Sequence, residues 1–171
     1  GGWQCKLVEP AHQKHVSCLA FNRDGSLLAS ASKKGTLVRI WATSQTHTPV
    51  LLKELRRGTL DADILCVSFC EQSEVVCCAS DSGTVHLFAV NHSAEESPAS
   101  SYGVVAHLLS RVQAGQRGFA RLDVGPSACS LLTGLRTVHG ERGGTPSQHL
   151  LVATSQGYLH SYCIRSSDDE Q

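Results

Sequence analysis

A short motif that occurs three times is the strongest constraint on the fold of this chain. Ala31–Thr36 reads Ala-Ser-Lys-Lys-Gly-Thr, Ala79–Thr84 repeats it as Ala-Ser-Asp-Ser-Gly-Thr, and Ala153–Tyr158 is a weaker third copy. Each copy stands between two apolar runs, such as Leu27–Ala29 before the first copy and Leu37–Trp41 after it. Apolar runs joined by a short glycine-containing turn are typical of β-hairpins. The sequence therefore predicts three hairpins built on one plan.

Further strands are predicted around these hairpins. One precedes each hairpin, at His15–Phe21, Ile64–Phe69 and Ala128–Thr133, and a fourth strand of the first unit lies near Val50–Leu55. Four short antiparallel strands in a unit of about 40 to 50 residues are typical of a β-propeller blade. We therefore predict an all-β, WD40-like β-propeller with about three four-stranded blades. Three blades are too few to close a ring and the sequence has no methionine, so we expect it to be a fragment of a longer protein.

Two insertions interrupt the repeats. The first, Asn91 to about Gly118, begins polar and acidic and continues as an apolar stretch with a basic edge. Four apolar residues of this stretch have the spacing of one helical face: Val105, Leu108, Leu109 and Val112. The second insertion, His139–Gly144, is rich in glycine and is predicted to be a solvated loop.

Composition narrows the class of function. The chain is 41% hydrophobic and 18% charged, as in soluble globular proteins, and its formal net charge is zero. A neutral chain without an RNA-type aromatic platform is not expected to bind nucleic acid, and any anion site must be local. The sequence contains no nucleophile elbow, paired acid motif or Walker motif, so we expect neither enzymatic activity nor a cofactor.

The eight cysteines permit a metal-site interpretation. Cys66, Cys70 and Cys77 near His86 would be candidate zinc ligands, but their spacing does not match a structural zinc site. Most of the cysteines lie in apolar strand-like runs, where a free thiol behaves as a small buried hydrophobe. We therefore favour buried free thiols, no bound metal and a reducing cytosol.

A pair of arginines joins the first two units. The chain reads Leu-Arg-Arg-Gly at Leu55–Gly58. Successive side chains of an extended strand point to opposite sides, so Arg56 and Arg57 are expected to diverge, one toward each unit. Each guanidinium presents a planar set of donors that suits phosphate.

These residues resemble the PROPPIN family, WD-repeat proteins that bind phosphoinositides and carry a Phe/Leu-Arg-Arg-Gly motif. The resemblance rests on Leu55–Gly58 together with Lys34–Arg39 before it and with Ala79–Ser80 and Thr84–Phe88 after it. It implies a seven-bladed propeller of which this chain is the C-terminal part. Leucine at the first motif position resembles the branch that partners the autophagy lipid-transfer protein.

The resemblance also implies a division of the chain. It assigns about 11–58 to a blade-five-like unit, 59–125 to a blade-six-like unit with a long loop at 91–118, 126–165 to a blade-seven-like unit, and 166–171 to an acidic tail.

The family has two rim pockets for phosphatidylinositol 3-phosphate and the 3,5-bisphosphate. Carried over by position, the first site comprises Ser30, Ser32, Gly35, Thr36, Arg39 and Arg56. The second site comprises Arg57, Gly58, Ser80, Thr84 and His86. The family's membrane-inserting loop corresponds to Tyr102, Val105, Leu108, Leu109 and Val112.

Arginine forks and hydroxyl groups supply the directional donors that an inositol phosphate needs. The turn glycines Gly35 and Gly83 are expected to leave room for a ligand. Protonation of His86, from an ordinary pKa of about 6.5, is expected to strengthen binding as the pH falls from about 7.5 to 6. The alternative for Arg39 is one end of a cross-strand ion pair.

The resemblance implies a non-enzymatic protein that recruits partners to membranes. It would be cytosolic and peripheral on phagophore and endosomal membranes, with 3-phosphorylated phosphoinositides and autophagy machinery, including the lipid-transfer protein, as partners. The alternative is a generic WD40 scaffold for protein–protein interaction that never binds lipid.

Overall fold

The computed structural model of the chain contains β-strands arranged in three antiparallel sheets. It describes residues 11–43, 48–90, 118–125, 131–138 and 147–164. Within these ranges there is no helix, and hence none long and apolar enough to cross a membrane. The expectation of an all-β, propeller-type chain is confirmed.

Each of the first two sheets has four strands in simple sequential order. The first sheet contains β1 (Val16–Phe21), β2 (Leu27–Ser32), β3 (Leu37–Ala42) and β4 (Val50–Arg56). The second contains β5 (Ile64–Phe69), β6 (Val75–Ser80), β7 (Thr84–Ala89) and β8 (Ala120–Asp123). The described part of the third contains β9 (Leu131–Val138), β10 (Ser147–Thr154) and β11 (Leu159–Ile164), in the order β11-β10-β9.

The three predicted hairpins are confirmed as β2–β3, β6–β7 and β10–β11. Strand β8 was not predicted, because it is only four residues long and follows the first insertion. Strand β9 runs from Leu131 to Val138, later than the predicted Ala128–Thr133, because it pairs with β10 along its full length. The predicted membrane-inserting residues, the glycine-rich insertion and the acidic tail lie outside the described residues.

Two apolar cores hold neighbouring sheets together. The first core joins the first and second sheets and includes Ala29, Val38 and the fully buried Phe88. The second joins the second and third sheets and includes Leu87 and Val152. Full burial of an aliphatic or aromatic side chain of this size stabilises a fold by about 1.5–3 kcal/mol. The middle sheet is therefore covered on both faces, while the first sheet packs in a core on only one face among the residues that the structure describes.

The two neighbouring cysteines of β6 pack in different cores. Cys78 packs in the first core and Cys77 in the second, because neighbouring residues of a strand face opposite sides. Burial raises the pKa of both thiols, that of Cys78 to about 12. Cys77 Sγ lies 3.0 Å from Ser68 Oγ and 3.3 Å from Thr133 Oγ1, so its polar partners are protein hydroxyls. Among the residues described, no group of three or more His, Cys, Asp or Glu side chains is arranged to hold a metal ion.

Candidate anion-binding site

The linker between β4 and β5 is fastened to the turn of the first hairpin. The backbone N–H of Arg57 donates to the carbonyl oxygen of Thr36 at 3.0 Å, and that of Ala62 donates to the carbonyl oxygen of Lys34 at 3.3 Å. Gly35 has a φ of +63°, and a Cβ there would lie 1.7 Å from the Ala62 carbonyl oxygen. The expectation that Gly35 leaves room for a ligand is therefore wrong, because the linker backbone fills that space.

Arg57 is held at the start of this linker by backbone carbonyls. Its Nε donates to the carbonyl oxygen of Gly35 at 2.5 Å, and Nη2 donates to that of Leu60 at 2.5 Å. A guanidinium has five N–H donors, so these two bonds leave further donors for a ligand. Arg57 is thus a positioned cation that lines the adjoining cavity.

This cavity, which we call the linker cavity, lies between the linker and the second sheet and has a volume of about 370 Å³. Its lining includes Arg57 and Gly58 from the linker, Thr84 and His86 from β7, and Arg121 from β8. Four residues of the second sequence-derived site therefore meet around one space. Arg121 was not assigned to that site from the sequence.

The remaining residue of that site, Ser80, does not line the cavity but hydrogen-bonds to two residues that do. Ser80 is fully buried, with Oγ 2.8 Å from Ser82 Oγ and 3.0 Å from Thr84 Oγ1. Ser82 and Thr84 also lie 3.0 Å apart through their hydroxyl oxygens, and both line the cavity. Ser82 was missed from the sequence, although its place inside the repeated turn was a usable signal. The three hydroxyls form a triangle that fixes the polar wall of the cavity.

His86 shares the linker cavity with two arginines. Only 9% of the residue is exposed, its ring is stacked with Phe88, and Arg121 is its partner across the β7–β8 pair. Burial, with the positive charges of Arg57 and Arg121, lowers the pKa of His86 to about 4. The expectation of an ordinary pKa near 6.5 is therefore wrong, and His86 is neutral at physiological pH. A neutral imidazole still offers one N–H donor to a ligand.

Two carboxylates offset the arginines of the linker cavity. Asp61 and Asp123 contribute to its lining. Asp123 Oδ2 lies 3.8 Å from Arg121 Nη2, and both side chains are more than half exposed. An exposed pair at this distance is weak, at about 0–1 kcal/mol. An anion entering the cavity therefore competes with a loosely held carboxylate.

One of the two arginines of the first sequence-derived site, Arg39, is already paired. Arg39 Nε donates to Glu54 Oε1 at 2.8 Å, Nη2 lies 2.6 Å from the same oxygen, and Nη1 donates to the carbonyl oxygen of Ala11. The ion-pair alternative for Arg39 is confirmed. Arg56 follows Glu54 by two residues on β4 and therefore lies on the same face of the sheet, exposed to solvent. It also lines a second cavity, of about 370 Å³, together with Arg57.

The hydroxyl of Ser30 in that site is also engaged. The indole N–H of Trp41 donates to Ser30 Oγ at 2.8 Å, and His12 Nε2 lies 2.8 Å from the same oxygen. Burial, and to a smaller extent the positive charge of Arg39, lowers the pKa of His12. The neutral His12 ring can therefore accept a hydrogen bond from the Ser30 hydroxyl. His12 had no assigned role from the sequence. Ser32 is buried and Thr36 half-buried in the same hairpin.

Comparison with curated proteins identifies relatives named autophagy-related protein 18. The protein of Neosartorya fischeri is 37% identical over 126 residues, which cover 70% of this chain and 28% of that protein. The protein of Dictyostelium discoideum is 29% identical over 154 residues, covering 74% of this chain and 41% of the relative. The chain thus spans less than half the length of these relatives.

Comparison with solved structures supports the fold. Hsv2 of Kluyveromyces lactis with complete loop 6CD matches 91% of this chain and 48% of its own chain, with a TM-score of 0.59 and 18% identity. KlAtg21, solved in complex with the coiled coil of AgAtg16, matches 91% of this chain and 42% of its own, with a TM-score of 0.53 and 23% identity. The family model described as PROPPIN matches residues 4–171. Together with the propeller-type sheets, this match shows that the chain belongs to the PROPPIN family.

Proposed function

We propose that this protein binds 3-phosphorylated phosphoinositides, phosphatidylinositol 3-phosphate and the 3,5-bisphosphate, through the linker cavity. The observation that supports this most is the meeting of Arg57, Gly58, Thr84 and His86 around one space. The resemblance to the PROPPIN family, carried over by position, assigned these four residues, which come from two separate segments of the chain.

The chemistry of the cavity suits a phosphorylated inositol ring. Arg57 supplies directed charge-assisted donors, Ser82 and Thr84 supply hydroxyls, and neutral His86 supplies a further N–H. Phosphate oxygens accept from all of these groups. Arg56, exposed at the end of β4, adds a cation beside the cavity that is available to an anionic membrane surface.

The linker cavity is the better supported of the two sequence-derived sites. A phosphate in the first site would have to displace Glu54 from Arg39 and His12 from Ser30. We therefore assign the main headgroup contact to the linker cavity. The first site contributes chiefly through exposed Arg56.

Vesicle flotation of the full-length protein tests the proposed lipid binding. The variant Arg57→Thr is compared with Arg23→Thr, which removes the same charge from the turn at the opposite end of the strands. We expect a loss of at least about tenfold in lipid-selective binding for Arg57→Thr, because a charge-assisted hydrogen bond contributes about 1.5–3 kcal/mol. Circular dichroism establishes that the variants are folded. Undiminished, lipid-selective binding by the Arg56→Thr, Arg57→Thr double variant would overturn the proposal.

The cellular role follows from this binding. We propose that the protein acts without catalysis, as a peripheral protein that brings autophagy machinery to phagophore and endosomal membranes. The relatives are named as autophagy-related proteins, and KlAtg21 was solved with the AgAtg16 coiled coil. The test is location in cells: Arg57→Thr should leave membranes marked by phosphatidylinositol 3-phosphate while Arg23→Thr stays on them.

The alternative is a WD40 scaffold that binds only proteins. Leu19 and Phe21 of β1 favour it, because each is 63% exposed on the face of the first sheet opposite the first core. This function requires that Arg57→Thr leaves all partner binding and membrane location unchanged.

A further inference from the structure

Arg121 is a basic residue of the linker cavity that lies outside the Leu-Arg-Arg-Gly motif. It is on β8, where its partner across the pair with β7 is His86. It lines both the linker cavity and the neighbouring cavity that contains Arg56. The linker supplies Arg57 and the outer strand of the second sheet supplies Arg121, so the two guanidinium groups line the cavity from different walls.

The two arginines are held very differently. Arg57 is fastened by the backbone carbonyls of Gly35 and Leu60, and it is half-buried. The Arg121 side chain is 61% exposed, and its contact with Asp123 is long, at 3.8 Å. A side chain held this loosely can turn toward a bound anion at little cost.

A ligand with one phosphate group can be bound by Arg57 without a contact to Arg121. A ring that carries a second phosphate on another carbon presents a separate dianion, and a cation on a different wall is suited to receive it. The volume of the linker cavity, about 370 Å³, exceeds that of a lone phosphate and leaves space for a ring.

We propose that Arg121 is a specificity-determining residue that makes the linker cavity prefer inositol headgroups with two ring phosphates, such as the 3,5-bisphosphate, over those with one. This inference rests on the proposed function of the cavity. Asp123 weakens this preference, because its carboxylate contacts Arg121 in the free protein. That contact must break when Arg121 binds the second phosphate.

The experiment measures the affinity of the full-length protein for two soluble headgroups by isothermal titration calorimetry. Inositol 1,3-bisphosphate stands for the monophosphorylated lipid and inositol 1,3,5-trisphosphate for the 3,5-bisphosphate. A parallel flotation series uses vesicles that contain each lipid, which separates headgroup recognition from attraction to a membrane. Arg121→Gln is compared with Arg136→Gln, which removes an equal charge from an exposed position on β9, outside the cavity lining.

We expect Arg121→Gln to weaken binding of inositol 1,3,5-trisphosphate, and of vesicles with the 3,5-bisphosphate, about tenfold. Binding of inositol 1,3-bisphosphate, and of vesicles with phosphatidylinositol 3-phosphate, should weaken less than about twofold. Arg136→Gln should change neither affinity in solution. Asp123→Asn, which can keep the hydrogen bond accepted from the Gly125 N–H, should strengthen binding of inositol 1,3,5-trisphosphate about threefold.

The possible failures are distinguishable. Binding by the unaltered protein, with an equal loss for both headgroups or no loss in Arg121→Gln, would overturn the assignment of Arg121 alone. Failure of the unaltered protein to bind either headgroup or either vesicle would overturn the proposed function, and this inference with it.

Discussion

The Nε of Arg57 donates to the carbonyl oxygen of Gly35 at 2.5 Å, which fastens the linker to the turn of the first hairpin. The sequence predicted that the Arg57 side chain points toward the second unit. In the structure the same side chain contacts the first hairpin and lines a cavity of the second sheet. One arginine thus couples a turn to a candidate binding site.

The contact between Gly35 and the linker predicts a large effect of a small substitution. Gly35→Ala should destabilise the fold by about 3 kcal/mol or more, because the new Cβ would lie 1.7 Å from the Ala62 carbonyl oxygen. Urea unfolding of the full-length protein measures this loss.

Gly25→Ala is the matched control, because Gly25 also has a positive φ, +75°, but has no atom within 4 Å of the added Cβ. It should cost only the left-handed backbone strain, about 1–2 kcal/mol. Equal losses in the two variants would mean that the linker yields to the methyl group without penalty.

His86 predicts a pH dependence of stability. Its pKa is about 4 in the folded protein and about 6.5 when unfolded, so between these values the unfolded state binds more protons. The contribution of His86 to the free energy of unfolding is therefore fully present above about pH 6.5 and is lost as the pH falls toward 4. Urea unfolding at pH 7 and pH 5 should show a smaller decline in His86→Gln than in the unaltered protein. Parallel declines would contradict the lowered pKa.

The same lowered pKa predicts how lipid binding depends on pH. His86 is neutral in the free protein across the range from about pH 7.5 to 6, so its protonation should add no attraction for phosphate there. Vesicle affinity of the unaltered protein and of His86→Gln should follow the same slope over this range. A steeper rise toward pH 6 in the unaltered protein would show that His86 gains a proton on binding.

The ion pair between Arg39 and Glu54 predicts measurable coupling. The two side chains are 18% and 35% exposed and share short contacts, so their interaction is less screened than that of a surface pair. A double-mutant cycle of Arg39→Gln and Glu54→Gln should give a coupling energy of about 1 kcal/mol in unfolding measurements. A coupling near zero would leave Arg39 free to exchange Glu54 for phosphate.

Thiol reactivity should follow burial. Cys163 is exposed on β11, whereas Cys77 and Cys78 are fully buried with raised pKa values. Because the thiolate is the reactive form, an aromatic disulfide reagent should label Cys163 in the native protein and label Cys77 and Cys78 only after unfolding. Peptide mapping by mass spectrometry identifies the labelled positions. Native labelling of Cys77 at the rate of Cys163 would contradict the packing of the second core.

Much of the fold was predictable, because the repeated turns and the alternation of side chains along the strands indicate the same hairpins. The repeated turn fixes the three hairpins, and alternation along β4 places Arg56 and Leu55 on opposite faces, with Leu55 in the first core. Strand β8 was not predictable in the same way. Its four residues carry no turn signal of their own and pair with β7 only after the chain returns from the first insertion.

The candidate site was predictable only in part. The resemblance to the PROPPIN family indicates Arg57, Thr84 and His86, because each lies at a fixed spacing from the arginine motif or from a repeated turn. The pairing of Arg39 with Glu54 depends on the register between β3 and β4, which the sequence left open as an alternative. Arg121 depends on the register between β7 and β8, so only the structure brings it to the cavity.

The fastening of the linker at Thr36 and Lys34 has a thermodynamic consequence for any ligand of the adjoining cavity. The backbone hydrogen bonds of Arg57 and Ala62 hold this wall in place in the free protein. Binding then avoids the loss of conformational entropy that ordering a loose loop would impose. We therefore expect little change in linker hydrogen-exchange protection when a headgroup binds, and association without a slow conformational step.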